Sequence, residues 1–309
     1  MSEAETDPLR PQAQDESRHP ADADPWWNES WYADAVSEDR RTGVYLRLGH
    51  VPNQPGGLYS VAVVEPDGSA TMLIDDTAPE PDEDGAALTV SGSSYTGTQE
   101  VVEPLQEFRM TCSGTAQRFA DPAAVLRDQT GTARELGVDL TWRTDGIGYQ
   151  WQISTRYEIP CAVSGTITLD GQETQFSGPG QRDHSWGARD WWSNEWMWSA
   201  FHLDDGTRVH AVTIPAFDGL AMGYWQTGGD FHEINEGRSA FEPGDDGIPT
   251  RCTIDISGFP ETTATPLVSA PLKLVADDGR VTHFVRAMAR FEVADGRQGH
   301  GWIEWNIVQ

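Results

Sequence analysis

The residues best suited to acid–base chemistry are concentrated in the segment GQRDHSWGARDWW, which spans positions 180–192. The segment holds two aspartates, Asp183 and Asp190, together with two arginines, one histidine and three tryptophans. A carboxyl group surrounded by tryptophan is desolvated, and desolvation raises its pKa because it penalises the charged form. An aspartic acid with a raised pKa can act as a general acid near neutral pH. The segment therefore indicates proton transfer, with Asp183 as the first candidate and Asp190 as support.

Tryptophan remains frequent directly after this segment. Five of the 13 tryptophans of the chain fall within thirteen residues, at positions 186, 191, 192, 196 and 198. An aromatic pocket with a few fixed polar groups is the usual composition of a ligand site, and aromatic faces also stabilise a carbocation. The alternative is that alternate rings fill the interior of a β-barrel while the charges form surface ion pairs. The residue types favour the pocket and leave this alternative open.

The elements that must position these residues are predicted to be antiparallel strands joined by tight turns. Asp-Gly occurs nine times, with the Asp at positions 67, 84, 145, 170, 205, 218, 246, 278 and 295, and this pair predicts type I′ hairpin turns. The segments FRMTC (108–112) and VDLTWRT (138–144) alternate apolar and polar residues, which indicates one buried and one exposed face. Only DPAAVLRDQ (121–129) has a helix-start pattern, an Asp followed by Pro. We therefore predict an all-β protein of two antiparallel barrel or sandwich domains.

The predicted organisation has three parts. Residues 1–24 are polar, acidic and proline-bearing, and we expect a disordered tail there. An N-terminal β-domain is predicted over residues 25–178 and a C-terminal β-domain over residues 179–309. The boundary is placed where Gly178, Pro179 and Gly180 are expected to break the preceding strand.

Several classes of function are disfavoured by composition and motifs. The net charge of −28 argues against a nucleic-acid partner, and the chain has no P-loop, GxGxxG, GxSxG or HExxH motif. No run of about 18 apolar residues and no secretory signal is found, so we predict a cytoplasmic protein with no membrane span. The three cysteines, at positions 112, 161 and 252, are expected to be reduced and buried. We also predict no bound metal, and a monomer or homodimer.

The motif RDHSWG (182–187) resembles the Asp-His-x-Trp-Gly signature of the carotenoid 1,2-hydratase (hydroxyneurosporene synthase) and AttH-like superfamily. The segments NESWY (28–32), YLRLGHVPNQ (45–54) and GHGWIEW (299–305) are also similar to segments of bacterial relatives. The resemblance implies two lipocalin-like barrels in tandem and chemistry that needs no cofactor. The hydratases of the superfamily add water across an isoprenoid double bond after protonation, and fungal relatives guide cyclisations.

Applied to this chain, the resemblance implies that Asp183 is the acid, His184 its neighbour or partner, and Trp186 a pocket wall beside Gly187. The hydratases have an aromatic residue two places before the aspartate, where this chain has Gln181, so the substrate need not be a carotenoid. The predicted catalytic residues are Asp183, His184 and Asp190. The predicted substrate-binding residues are Trp186, Arg189, Trp191, Trp196, Trp198, His202, Tyr224, Trp225, Glu29, Asn53 and Glu304.

For the weaker candidates the alternative is a purely structural role: Glu29 as a cap, Asn53 as a turn residue, and Tyr224 and Trp225 as core residues. Two functions follow from the sequence. The first is a cofactor-independent enzyme, a hydratase or a cyclase or isomerase, acting on an isoprenoid, terpenoid or polycyclic substrate by protonation from aspartic acid. The second is a non-catalytic, lipocalin-type carrier of a hydrophobic ligand.

Overall fold

The computed structural model describes residues 7–309, and nearly all of their regular structure is antiparallel β-strand. The strands are β1 (Trp27–Val36), β2 (Gly43–His50), β3 (Gly57–Val64), β4 (Ala70–Ala78), β5 (Asp82–Asp84), β6 (Ala87–Ser91), β7 (Tyr95–Glu103), β8 (Glu107–Phe119), β9 (Thr132–Thr144), β10 (Tyr149–Gln150), β11 (Arg156–Leu169), β12 (Gln172–Ala188), β13 (Trp196–Leu203), β14 (Arg208–Thr213), β15 (Leu220–Thr227), β16 (Asp230–Pro243), β17 (Pro249–Ile256), β18 (Phe259–Ser269), β19 (Leu272–Val275), β20 (Val281–Val293) and β21 (Gln298–Val308). Two short 3₁₀ helices accompany them, Ala13–Glu16 and Pro122–Arg127.

The strands form two closed barrels, which confirms the predicted all-β tandem architecture. In the first sheet, β11, β12, β1, β2, β3, β4, β8 and β9 pair in that order, and β9 pairs back with β11. In the second, β13 to β18 pair in sequence, β18 pairs with β20, and β20 pairs with β21, which returns to β13. Closure leaves no unpaired edge within either ring of eight strands.

The division between the two sheets lies later in the chain than the predicted boundary at 178/179. Strand β12 continues without a break from Gln172 to Ala188, so the motif at 182–187 belongs to the first sheet. Gly180 lies inside this strand because it allows close strand approach: a Cβ there would lie 2.1 Å from the backbone oxygen of Asp34 on β1. The same residues that suggest a break in the sequence therefore allow two strands to pack.

The structure also differs from the expected disordered tail where it describes that tail. Residues 1–6 lie outside the described residues, but Glu16 is buried, and its carboxylate accepts hydrogen bonds from Arg182 Nη2 at 2.6 Å and from the Tyr157 hydroxyl at 2.7 Å. A buried carboxylate with a charged and a neutral donor fixes a segment that composition alone marks as polar.

Three groups of buried side chains hold the molecule together. One fills the first barrel, with Trp31 and Trp142 among its members, and another fills the second barrel around Phe201 and Phe291. The third lies between the barrels and is centred on large rings contributed by both. There the Trp302 indole donates a hydrogen bond to the Ala35 carbonyl at 3.1 Å. The outward faces of several strands are therefore buried as thoroughly as the inward faces.

The turns and the single predicted helix follow the sequence closely, with one correction. Eight of the nine Asp-Gly pairs connect consecutive paired strands, but only Asp170 among these aspartates has a positive φ (51°). At several other pairs the Asp side chain accepts a hydrogen bond from the backbone NH two residues on, as Asp205 does from Thr207 at 2.9 Å. These are Asx turns with glycine in the left-handed region rather than type I′ turns. Asp121 caps the 3₁₀ helix Pro122–Arg127 as predicted.

No helix within residues 7–309 is long and apolar enough to cross a membrane.

Candidate functional site

A row of four polar residues crosses the face of the first barrel that packs against the second. Glu158, Asp183, Tyr32 and Arg47 lie directly opposite one another on the neighbouring strands β11, β12, β1 and β2. Residues directly opposite on paired strands have adjacent side chains, so these groups form one continuous strip. All four are buried, because the second barrel covers the strip.

Asp183 is the central acid of this strip and is only 5% exposed. Its Oδ2 accepts a hydrogen bond from Arg156 Nη2 at 2.6 Å. Burial raises the pKa of Asp183 to about 6, because the nearby Arg156 offsets only part of the desolvation and the negative charge of Glu158 adds to it. An acid with this pKa is protonated in part of the molecules at neutral pH, as a general acid requires.

Glu158 is the second buried carboxylate of the strip, and it has more hydrogen-bond donors than Asp183. Arg156 Nε donates to it at 2.7 Å, the Gln181 amide at 2.9 Å and the Trp198 indole at 3.1 Å. Burial raises the pKa of Glu158 against the lowering effect of Arg156 and these donors. Hydrogen-bond donors stabilise the charged form of a carboxyl group, so Asp183, which has fewer donors, is the more readily protonated of the two.

Gln181 connects the acid strip to the second barrel. Its side-chain oxygen accepts a hydrogen bond from the Tyr224 hydroxyl at 3.2 Å, while its backbone NH donates to Asp34 at 3.1 Å. Asp34 also accepts from the Tyr32 hydroxyl at 2.9 Å, and burial raises its pKa well above the ordinary value. The position where the hydratases have an aromatic ring thus holds an amide that fixes the orientation of Glu158.

A second ion pair lies beside the strip and comes from the second barrel. Arg286 Nε donates to Glu304 at 2.5 Å, and the Trp196 indole donates to the same carboxylate at 2.9 Å. The Arg286 guanidinium also lies over the ring of Tyr32, 4.0 Å from its centroid. Both Trp196 and Glu304 therefore contribute to the interface between the barrels, where Glu304 is paired as a carboxylate.

An open pocket of about 400 Å³ borders this interface. Its aromatic and aliphatic walls include Trp26, Leu58, Trp191, Trp192 and Leu274, and Arg189 is its cationic wall residue. Asp183 is not part of the wall. Gly49 is a wall residue and lies two residues along β2 from Arg47, which is two strands away from Asp183. At about 3.3 Å per residue and about 4.8 Å per strand, Asp183 lies roughly 12 Å from this part of the pocket lining.

His184 lies on the other side of β12 from Asp183, because successive strand residues point to opposite faces. Its Nε2 is 3.0 Å from Glu29 Oε1, its Nδ1 donates to the Asp15 carbonyl at 2.8 Å, and its ring stacks on Trp31. The same Glu29 oxygen is 2.9 Å from His19 Nδ1, and the His19 ring stacks on Trp186 at 3.7 Å.

The residues His19, Glu29 and His184 can each offer a metal-binding atom within 4.8 Å of the others. Each ring nitrogen that faces Glu29 already has this carboxylate as a hydrogen-bond partner. Hydrogen bonds in this cluster therefore attach the N-terminal segment to the first barrel. The sequence made His184 the neighbour or partner of Asp183; in the structure the two side chains belong to separate hydrogen-bond networks on opposite faces of β12.

The profile of the family described as a domain of unknown function, DUF7064, matches residues 12–309. The chain belongs to the DUF7064 family. None of the curated proteins compared with it matches.

Solved structures share the fold of this DUF7064 chain at low sequence identity. An AttH-type protein of Nitrosomonas europaea is 15% identical, with a TM-score of 0.58, over 92% of this chain and 94% of its own. CghA in complex with Sch210972 is 13% identical, with a TM-score of 0.61, over 92% and 89%. Kievitone hydratase of Nectria haematococca is 12% identical, with a TM-score of 0.53, over 90% and 88%. These similarities establish a common fold with the AttH-like proteins.

The remaining predicted site residues of the DUF7064 chain are distributed over several places. Asp190 accepts from Arg280 at 2.8 Å and from the Trp192 NH at 3.0 Å, so it stabilises the linker between the barrels. His202 contacts the Gly180 carbonyl at 3.1 Å. The Asn53 amide donates to the Asp22 and Asp24 carbonyls at 2.9 and 2.8 Å, which holds the N-terminal segment. Trp225 stacks on His232 at 3.7 Å, on the opposite face of β15 from Tyr224.

The sequence interpretation missed most of the charged residues around Asp183. Arg47, Arg156, Glu158 and Arg286 all lie in predominantly apolar strand sequences, such as YLRLG (45–49) and FVRAM (284–288). A charged residue at an outward position of an apolar strand is a signal for a second buried face. This signal can be recognised only when both faces of each strand are assigned as buried or exposed.

Proposed function

We propose that this protein is a cofactor-independent enzyme that binds an apolar isoprenoid, terpenoid or polycyclic substrate between its barrels and protonates it with Asp183. The observation that carries the proposal is the Asp183 carboxyl: it is buried at the interface, has one strong hydrogen-bond donor and has a pKa raised to about 6. A protonated carboxylic acid in an aromatic, water-poor site is a suitable donor to an alkene.

The proposed step is a proton transfer that conserves charge. The Asp183 carboxyl gives its proton to one alkene carbon, which leaves a carboxylate and a carbocation. Water adds to the cation in a hydratase and returns a proton to Asp183, whereas an internal nucleophile or a lost proton completes the step in a cyclase or isomerase. The ring of Trp198, whose indole binds Glu158 beside Asp183, is suited to stabilise the cation.

The fold relatives are compatible with this chemistry. One is named a hydratase, kievitone hydratase, and another, CghA, was crystallised with Sch210972, so this architecture holds organic ligands and includes an enzyme of the hydratase type. The resemblance of the RDHSWG motif to that of the carotenoid 1,2-hydratases supports the same assignment.

One observation favours a second function, a carrier without chemistry. Asp183 lies behind the pocket wall, and Arg156 already binds its carboxylate. Catalysis therefore requires that a ligand displace part of the lining, such as Trp191, to reach the acid. A carrier would use the aromatic pocket alone and keep the Asp183–Arg156 pair intact.

The experiment that separates these functions is product analysis in ¹⁸O-labelled water with a panel of terpenoid alkenes. A hydratase gives a labelled alcohol, a cyclase or isomerase gives an unlabelled isomer, and a carrier gives neither although tryptophan quenching reports binding. Asp183→Asn should abolish turnover and retain ligand binding. Asp139→Asn is the matched control, because Asp139 is an exposed strand aspartate that is also bound by an arginine, Arg109, at 2.7 Å. Full turnover by Asp183→Asn would refute the assignment of the acid.

A further inference from the structure

Two of the four guanidinium groups at the interface between the barrels have no carboxylate partner within the described residues. Arg156 is paired with Asp183 and Glu158, and Arg286 is paired with Glu304. Among residues 7–309, no carboxylate oxygen lies within 4.0 Å of the guanidinium of Arg47 or Arg189. These two cations stand beside the aromatic pocket in a protein with a net charge of −28.

Arg47 is the more deeply buried of the two, at 7% exposure. Its Nη2 donates to Ser30 at 3.1 Å, but its Nε is buried without a partner. Burial lowers the pKa of Arg47 to about 10, as expected for a cation with no direct counter-ion. An unpaired buried charge destabilises a protein, so its presence points to a partner that is not part of the chain.

The position of Arg47 connects it to the pocket. Its guanidinium lies 4.4 Å from the ring centroid of Trp191, a pocket wall residue. Gly49, another wall residue, is so close that a Cβ on it would lie 3.9 Å from Arg47 Nε. A ligand atom that replaces Trp191 or passes Gly49 would meet the unpartnered Nε.

Arg189 reaches the same pocket from the linker between the barrels. The only hydrogen bonds of its guanidinium within the described chain are long ones from Nη2, to Ser154 Oγ at 3.4 Å and to the Thr155 carbonyl at 3.3 Å. Its guanidinium therefore retains donors for a ligand. The fork of a guanidinium matches the geometry of a carboxylate or another oxyanion.

Three aspartates, Asp76, Asp277 and Asp278, also border the pocket, but they lie at its outer rim on a strand end and an exposed turn. Asp278 is bound by Arg280 at 2.8 Å. Exposed rim charges are screened by salt, whereas the buried Arg47 is screened much less. The pocket is thus positive at its inner end and negative at its rim.

We infer that the ligand of this pocket is an apolar molecule with an oxyanionic group, a carboxylate, enolate or phenolate, that Arg47 and Arg189 bind. The inference rests on the proposed function for the location of the ligand. It adds the substrate class: the anionic group anchors the molecule at the inner end, and the apolar body lies against the tryptophans. Arg47 and Asp183 stand on either side of Tyr32 on neighbouring strands, so the anchor adjoins the strip that contains the proposed acid.

The test uses two fluorescent probes with the same aromatic scaffold, anilinonaphthalene sulfonate (ANS), which is anionic, and N-phenylnaphthylamine (NPN), which is neutral. Fluorescence titration of the wild-type protein should give about ten-fold tighter binding of ANS than of NPN, the scale of one or two charge-assisted hydrogen bonds. In Arg47→Met and Arg189→Gln, ANS binding should weaken about ten-fold while NPN binding stays constant.

Two further measurements guard against misfolding and against binding elsewhere. Arg47→Met should raise the Tm of the ligand-free protein, because it removes an unpaired buried charge. The control for location is Arg18→Gln, since Arg18 lines a different cavity, at the mouth of the first barrel. That variant should keep the preference for ANS.

Equal affinity of the wild type for both probes would overturn the inference, as would an ANS preference that survives in both pocket variants or is lost in Arg18→Gln. The proposed general acid is tested separately, because Asp183→Asn should lose turnover and keep the preference for ANS. An Asp183→Asn protein with full turnover and an intact ANS preference would refute the assignment of Asp183 as the general acid, but not the binding of an oxyanion by Arg47 and Arg189.

Discussion

Replacing Asp183 by asparagine should change how the stability of the protein depends on pH. The pKa of Asp183 is raised from 3.8 to about 6 by burial, so the folded protein holds this proton more tightly than the unfolded chain. The protonated form contributes stability that is complete below pH 3.8 and is lost as the pH rises through about 6. The difference of about two pKa units corresponds to about 3 kcal/mol at 1.36 kcal/mol per unit, of which roughly 1 kcal/mol is lost between pH 5 and pH 7.

Asparagine imitates the protonated acid at every pH and has no carboxylate to desolvate. The free energy of unfolding of Asp183→Asn should therefore rise relative to that of the wild type between pH 5 and pH 7, by roughly 1 kcal/mol, and then remain level. Urea denaturation followed by tryptophan fluorescence at several pH values measures this difference. The comparison between the two proteins removes the contribution of the other titrating groups.

The matched control is Asp139→Asn, in which an exposed strand aspartate loses its arginine partner. The Arg109 guanidinium holds the pKa of Asp139 below its usual range, so this group has released its proton in both states above pH 5. The difference between wild type and control should stay constant over the same pH range. If the Asp183→Asn difference is equally constant, Asp183 is ionised throughout, and the physical basis of the proposed acid is lost.

Three other changes test the packing that supports the site. Arg182→Met leaves the Glu16 carboxylate buried without its guanidinium, which should cost about 3–5 kcal/mol in urea denaturation; a loss below about 1 kcal/mol would mean that Glu16 leaves the barrel at little cost. Trp302→Ala removes a fully buried ring and a hydrogen bond from between the barrels, and should cost about 3–5 kcal/mol; a wild-type Tm would contradict the tight interface. Asp121→Ala removes the cap of the 3₁₀ helix and should lower the free energy of unfolding by about 1 kcal/mol, which shifts the urea midpoint. An unchanged midpoint would show that the cap is dispensable.

Much of the fold could be predicted because strand periodicity is a local property. The alternating residues of 108–112 and 138–144 face the interior of the first barrel as predicted, and the Asp-Gly pairs are at turns. The domain boundary could not be predicted from local signals. The Gly-Pro-Gly sequence at 178–180 is typical of a loop. Its place within β12 is explained only by the close approach of the neighbouring strand β1.

The candidate site was predicted less completely, since its polar residues come from both barrels. Of the residues predicted from the sequence, Asp183 lies in the buried strip, while Arg189 and Trp191 line the pocket; all three lie near one another along the chain. It could not find Arg156 or Glu158, because their proximity to Asp183 depends on the register between β11 and β12. Register is set by packing over the whole sheet, so the sequence of one strand alone does not show which residues of its neighbour it faces.

Alternate residues of the RDHSWG motif lie on opposite faces of β12 and therefore have different surroundings. His184 and Trp186 face the first barrel, where they hold the N-terminal segment through Glu29 and His19. Asp183 faces the second barrel. A substitution of His184 should therefore act on the attachment of residues 7–24 and on stability, whereas a substitution of Asp183 should act on proton transfer. Since adjacent strand residues point to opposite faces, the proximity of Asp183 and His184 in the chain does not indicate a catalytic dyad: His184 holds the N-terminal segment, and only Asp183 faces the interface where we propose proton transfer.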